Sequence, residues 1–185
     1  MSQVVLILVG LIGSGKSTFA QALEHHLPAS FRRCNQDDLG DRRSVEALAR
    51  QALGLGLSVC IDRTNFDAQQ RAHWIRIARD YSVPVWVLVF DTPVQVCSER
   101  LRTRVGHPTI KDFEQASEVL SQFYSQFQYP RLNEGYDNIL YLKPSDHLSP
   151  HWSLDEVATI LSRLEKSTSR DWRTSDEGAP VMDRS

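Results

Sequence analysis

Gly10-Leu11-Ile12-Gly13-Ser14-Gly15-Lys16-Ser17-Thr18 decides the fold. The stretch satisfies G-x-x-x-x-G-K-S/T in full, and its surroundings are those the motif needs. The apolar run Val4–Val9 comes directly before it, and a helix-like stretch from Thr18 to Leu27 follows. A buried strand, a glycine loop and a helix N-terminus in that order form a phosphate cradle, because backbone N–H groups converge where the chain wraps. Gly13, Ser14, Gly15, Lys16, Ser17 and Thr18 are therefore expected to hold a nucleoside triphosphate. Lys16 would reach the β- and γ-phosphates, and the Ser17 hydroxyl would meet Mg²⁺.

The 185 residues suit one α/β domain with a core of useful size. Hydrophobic content of 41%, charged content of 24% and a net charge of −2 are ordinary for a globular chain. They provide no global positive field to draw nucleic acid, so any polynucleotide contact must come from a local basic patch. Cys34, Cys60 and Cys97 have no C-x-x-C spacing. An odd count without a leader segment points to a reducing, intracellular compartment, cytoplasmic or nuclear. No apolar stretch approaches the roughly 20 residues of a membrane span, so no membrane association is expected. The six histidines show no metal-ligand spacing.

Strand-like and helix-like segments alternate along the chain. Strands are expected at Val4–Val9, Phe31–Asn35, Leu57–Ile61, Val85–Phe90 and Asn138–Leu142. Helices are expected at Thr18–Leu27, Ser44–Leu55, Asp67–Tyr81, Pro93–Arg104, Lys111–Phe127 and Leu154–Leu164. Continuously apolar strands separated by helices predict a five-stranded, mostly parallel sheet covered on both faces. In such sheets ligands bind beyond the carboxyl ends of the strands. Polar clusters follow three of those ends: Gly13–Ser17, Asn35–Asp38 and Asp62–Asn65.

Asp37-Asp38-Leu39-Gly40 spells D-x-x-G, but the guanine-reading N-K-x-D is missing, which argues against a GTPase switch. A small α/β chain with this loop is expected to be a kinase. Such an enzyme needs a carboxylate for the acceptor hydroxyl, cations for the transferring phosphoryl and a lid against water. Asp37 and Asp38 supply candidate carboxylates, the plainer alternative being a helix cap or a solvated turn. Arg100, Arg102 and Arg104 precede Val105-Gly106-His107-Pro108, a natural helical lid, although a basic helix end would also balance a dipole.

These segments resemble the polynucleotide 5′-hydroxyl kinase family. Asn35-Gln36-Asp37-Asp38-Leu39-Gly40 is similar to the family's N-R-D-x-L-G, and Asp62-Arg63-Thr64-Asn65 to its D-N-T-N. Arg100–Arg104 resembles its lid. The segment from Phe127 to Tyr136 resembles its F-x-x-P-x-x-x-E-G-F/Y. The resemblance covers Val4 to Leu142. It implies a P-loop kinase using ATP and Mg²⁺ on a 5′-hydroxyl RNA or DNA end. It also implies Asp37 as general base, Lys16 and Arg104 stabilising the transition state, and Ser17 and Asp62 at the metal. Asp38, Arg42, Arg43, Arg63, Asn65 and Arg71 become candidates for holding the acceptor, Arg71 through its phosphate.

Two departures stand out. Gln36 replaces the arginine of N-R-D, and Arg63 replaces a neutral or acidic residue. Arg63 could read an acceptor phosphate or pair with Asp38 or Asp62. A kinase of small hydroxyl compounds (a nucleoside, a sugar, an antibiotic) and a weakly catalytic ATP-binding module remain as alternatives. The expected organisation is a P-loop kinase domain over residues 1–166 and a disordered tail over 167–185.

Overall fold

A computed structural model describes residues 2–103 and 113–167. Five strands form one sheet: β1 Val5–Val9, β2 Phe31–Asn35, β3 Ser58–Asp62, β4 Val85–Phe90 and β5 Asn138–Leu142. Their spatial order is β2-β3-β1-β4-β5, and every pairing is parallel. The helices are α1 Lys16–His26, α2 Gln36–Leu39, α3 Arg42–Gly54, α4 Ala68–Asp80, α5 Val94–Thr103, α6 Phe113–Gln126 and α7 Leu154–Lys166. No helix among the described residues is long and apolar enough to cross a membrane.

Every residue of β1, β3 and β4 is buried, as strands sandwiched between helical layers must be. Alternation divides them between two cores. Val5, Ile7 and Val9 pack with Val45 and Ala49 of α3 and with Trp74 and Ile75 of α4. Leu6 and Leu8 pack with Phe19 and Leu23 of α1 and with Val157, Ile160 and Leu161 of α7. A third, smaller cluster joins Leu11 of the glycine loop to Cys97 and Leu101 of α5 and to Ala116 and Leu120 of α6. All three cysteines are buried. Burial pushes the Cys34 thiol up to about 12 and the Cys97 thiol up to about 11.

The local signals act as expected. The Asp67 and Ser153 side chains accept from the backbone N–H groups of Gln70 and Glu156, capping α4 and α7. Three differences bear on the site. Helix α1 starts at Lys16, two residues before the expected Thr18, because Gly15 at φ 106° ends the loop. Helix α3 begins at Arg42 behind an Asp41 cap. The polar stretch after β2 forms a single helical turn, α2, with Asn35 accepting from the Asp38 N–H. Asp37 and Asp38 fall in its first turn, where negative charge is favoured. The expected lid segment with Arg104, the start of the helix expected at Lys111 and the tail from 168 onward lie outside the described residues.

Candidate active site

The carboxyl ends of β1, β2 and β3 open onto a cleft of about 850 Å³. Gly13 to Thr18 form its floor, and Asn35, Gln36 and Asp37 form one lip. Asp62, Arg63 and Thr64, at the end of β3, lie between these, and Phe66 and Phe123, with ring centroids 5.0 Å apart, also line the cleft.

The loop is braced from α5. Arg100 Nη1 donates to the Ser14 carbonyl at 3.2 Å, and Thr92 Oγ1 donates to it at 3.3 Å. Gly13 has φ 80°, and a Cβ there would lie 2.8 Å from the Cys97 carbonyl oxygen. A side chain at that position is thus both strained and blocked by backbone that cannot swing away. Gly13→Ala is expected to weaken ATP affinity at least about tenfold and to lower stability by about 1–3 kcal/mol. Nucleotide titration and denaturant unfolding would measure both.

The Lys16 ammonium lies inside the loop, 7% exposed. It donates to the carbonyls of Gly10 at 2.8 Å and Leu11 at 2.7 Å. Ser17 Oγ, one residue on, donates to Asp62 Oδ1 at 3.0 Å. Asp62 is 2% exposed, and three more donors compensate its charge. Asn35 Nδ2 reaches Oδ2 at 2.8 Å, while Arg33 Nε and Nη2 reach it at 2.8 and 2.7 Å. Strand register sets this up, because Asn35 stands directly beside Asp62. A hydroxyl and a carboxylate beside a phosphate cradle suit a hard cation that takes its remaining oxygens from phosphate and water, which is magnesium's habit. Among the described residues, no group of three or more His, Cys, Asp or Glu could hold a metal by itself.

Asp37 stands exposed on the cleft lip, on the first turn of α2. Its neighbour Gln36 carries a buried Oε1 with no hydrogen-bond partner among the described residues. An orphaned acceptor at a cleft wall suits a ligand donor.

The other expected residues divide. Arg63 lines the cleft, with its guanidinium 5.9 Å from the Trp74 ring. It pairs with neither Asp38 nor Asp62, since Arg33 occupies both. Burial first, then the Arg42 charge, hold Arg63 below its ordinary pKa. Asp38 faces Arg33 at 2.5 Å rather than the cleft. Arg42 is exposed and pairs with Glu46 at 3.4 Å, and Arg43 is exposed on α3.

Two further residues proposed to hold the acceptor have their polar groups engaged within the fold. Arg71 is fully buried. Its guanidinium grips Glu134 at 2.7 and 2.8 Å and donates to the Asn65 carbonyl at 2.9 Å. That leaves no face for an acceptor phosphate. Asn65, also fully buried, sits at φ 46°. Its amide donates to the Leu8 carbonyl at 2.7 Å, and its Oδ1 accepts from Trp74 Nε1 at 3.0 Å. Both side chains are buried and bonded to protein groups. Asparagine suits the left-handed turn, and its short amide ties β1 to α4.

A family model described as an AAA domain matches residues 5–130. The chain belongs to this AAA-domain family. The matched stretch carries the glycine loop, α2, Asp62 and the Arg100 brace, and it ends before Glu134, β5 and α7. A protein named transcription factor bHLH140 from Arabidopsis thaliana is 33% identical over 145 residues, covering 75% of this chain and 16% of that protein. A bifunctional polynucleotide phosphatase/kinase from Schizosaccharomyces pombe is 30% identical over 137 residues, covering 74% of this chain and 33% of that protein. The resemblance to polynucleotide kinases that the motifs carry is thus met among its relatives. The chain spans a third or less of the length of these two relatives. A solved fungal RNA kinase has the same fold, with a TM-score of 0.67 at 17% identity over 89% of this chain and 87% of that one.

The AAA-domain site also holds a residue that sequence reading missed. Arg33 carries no motif. Its only signal is a charged residue inside a strand, two positions before Asn35 and therefore on the same face.

Proposed function

We propose that this chain transfers the γ-phosphoryl of ATP to the 5′-hydroxyl end of a polynucleotide. The observation that carries the reading is the convergence of Lys16, the Ser17–Asp62 pair and Asp37 on one cleft. The order across the cleft is donor floor, cation ligands, acceptor lip.

In this mechanism the loop N–H groups cradle the phosphates. Lys16 exchanges its Gly10 and Leu11 carbonyl contacts for β- and γ-phosphate oxygens. Ser17 and Asp62 are the residues that would hold Mg²⁺, and the ion would supply charge neutralisation of the phosphates. Asp37 accepts the proton of the acceptor hydroxyl as its oxygen bonds to the γ-phosphorus. The bond from that phosphorus to the β–γ bridging oxygen breaks, and ADP departs with the electron pair. Arg100 at the loop is placed to offset charge from the donor side, and Arg104 is proposed to join it from the lid. Arg63 on the wall, with Arg42 and Arg43 beyond α2, offers cations to an acceptor's phosphates. The unpartnered Gln36 oxygen suits a neutral donor on the same acceptor, such as a sugar hydroxyl. The polynucleotide assignment draws its support from the motif set and from the name of the fission-yeast relative.

The test is transfer of labelled γ-phosphate to 5′-hydroxyl RNA and DNA oligonucleotides, their 5′-phosphorylated forms, nucleosides and sugars. Label entering only 5′-hydroxyl oligonucleotides is expected. Acceptor affinity should also fall linearly on a log–log plot against salt. Label entering only small compounds would replace the acceptor class. ATP binding without transfer to any acceptor would leave a binding module.

A further inference from the structure

Among the described residues, Arg33 is the one side chain that touches both Asp62 and Asp38, the carboxylates flanking the reacting groups. Its Nε and Nη2 lie 2.8 and 2.7 Å from Asp62 Oδ2, and its Nη1 lies 2.5 Å from Asp38 Oδ2. Asp62 belongs to β3 and holds Ser17 through its other oxygen. Asp38 belongs to α2, the single turn that carries Asp37. A four-residue helix cannot hold itself in water, because one turn fixes more dihedrals than its hydrogen bonds repay. Its position comes from outside. The Asn35 cap supplies one tie, and the Arg33–Asp38 ion pair supplies another across the turn. The Arg33 side chain is 12% exposed, so its charge acts through little solvent screening.

On the kinase reading above, we propose that Arg33 is a positioning residue with two separable effects. Its fork locks the Asp37 turn to Asp62 at a fixed distance. Its charge offsets that of Asp62, so that Mg²⁺ is bound through the nucleotide rather than by the protein alone. The two effects draw on different properties of the side chain. Locking needs a planar fork that grips two carboxylates at once, and charge compensation needs only a cation.

Arg33→Met removes both properties, Arg33→Lys keeps the charge without the fork, and Asp38→Asn weakens only the α2 end. Each is compared with wild type in two measurements. The first is the affinity of a fluorescent ATP analogue as a function of Mg²⁺ at constant ionic strength. The second is the acceptor KM and kcat at saturating Mg²⁺, with thermal unfolding alongside. Arg33→Met should lower the half-saturating Mg²⁺ concentration about three- to tenfold, because a cation near the site is gone. Arg33→Lys should keep the wild-type Mg²⁺ midpoint while its kcat/KM for acceptor falls about tenfold. Asp38→Asn, at an exposed position that folding tolerates, should follow Arg33→Lys in both readouts. Wild-type behaviour of Arg33→Lys in acceptor kinetics would overturn the proposal. So would an Arg33→Met protein whose melting temperature shifts while its Mg²⁺ midpoint does not. A wild-type protein that fails to bind the analogue at any Mg²⁺ concentration would instead sink the kinase reading itself.

Discussion

Asp37→Asn is expected to lower turnover by about 10²–10⁴-fold, the range of a positioned general base. In free energy that is about 3–5 kcal/mol of transition-state stabilisation. ATP affinity should stay within about threefold of wild type, because Asp37 sits on the lip opposite the phosphate floor. KM for the acceptor should change little if the carboxylate acts on the proton in flight, since such an interaction is gained only in the transition state. Asparagine keeps the volume and can still occupy the first turn of α2, so loss of turnover cannot be assigned to a collapsed turn. Asp38→Asn is the internal control for charge on that turn. Its carboxylate faces Arg33 rather than the cleft, and its cost should come as weakened acceptor handling, about tenfold in kcat/KM, without the larger collapse in turnover. Steady-state kinetics with both nucleotide and acceptor varied would separate the two. An Asp37→Asn enzyme with full turnover would remove Asp37 from the chemistry and leave Asn35 and Gln36 as the polar groups of the lip. Equal losses in both variants would mean that the turn as a whole, rather than one carboxylate, is what the reaction needs.

The contrast between these neighbours also shows where sequence reading reaches its end. The phosphate loop was legible because its chemistry is local: Gly13 and Gly15 need positive φ, and Lys16 and Ser17 follow immediately. Strands β1 and β4 were legible because burial on both faces makes them continuously apolar, and the Asp67 and Ser153 caps because they bond three residues ahead. The expected mostly parallel sheet is parallel throughout. Side-chain roles set by register were not legible. Asp37 and Asp38 read alike in sequence, and only the Arg33 side chain, which reaches Asp62 and Asp38 together, tells them apart. Asn65 and Arg71 were read as acceptor contacts because polar and charged residues near a site suggest ligands. Nothing local announces that Trp74, Leu8 and Glu134, between nine and 63 residues away from their partners, already use their hydrogen-bonding capacity.

Glu134→Ala is expected to destabilise the fold by about 3–5 kcal/mol, because it strands a fully buried guanidinium without its counter-charge. For a domain of this size the melting temperature should fall by on the order of 10 °C. Glu134 does more than pair with Arg71. Its Oε1 also accepts from the Arg131 N–H at 2.9 Å, so the truncation frees the turn at Leu132–Glu134 as well. Through Arg71 the loss passes to the Asn65 carbonyl and the loop that follows Asp62. Removing both charges together, as Arg71→Met with Glu134→Leu, should cost clearly less than the sum of the two single changes, since neither charge is then left alone. Denaturant unfolding of the four proteins gives the coupling directly. The same set decides what Arg71 is for. A framework role predicts lost stability with acceptor KM held within about twofold, measured well below the melting temperature. An Arg71→Met protein of near-normal stability whose acceptor KM rises tenfold or more would return Arg71 to the acceptor. It would then also require that the Glu134 grip opens when substrate binds.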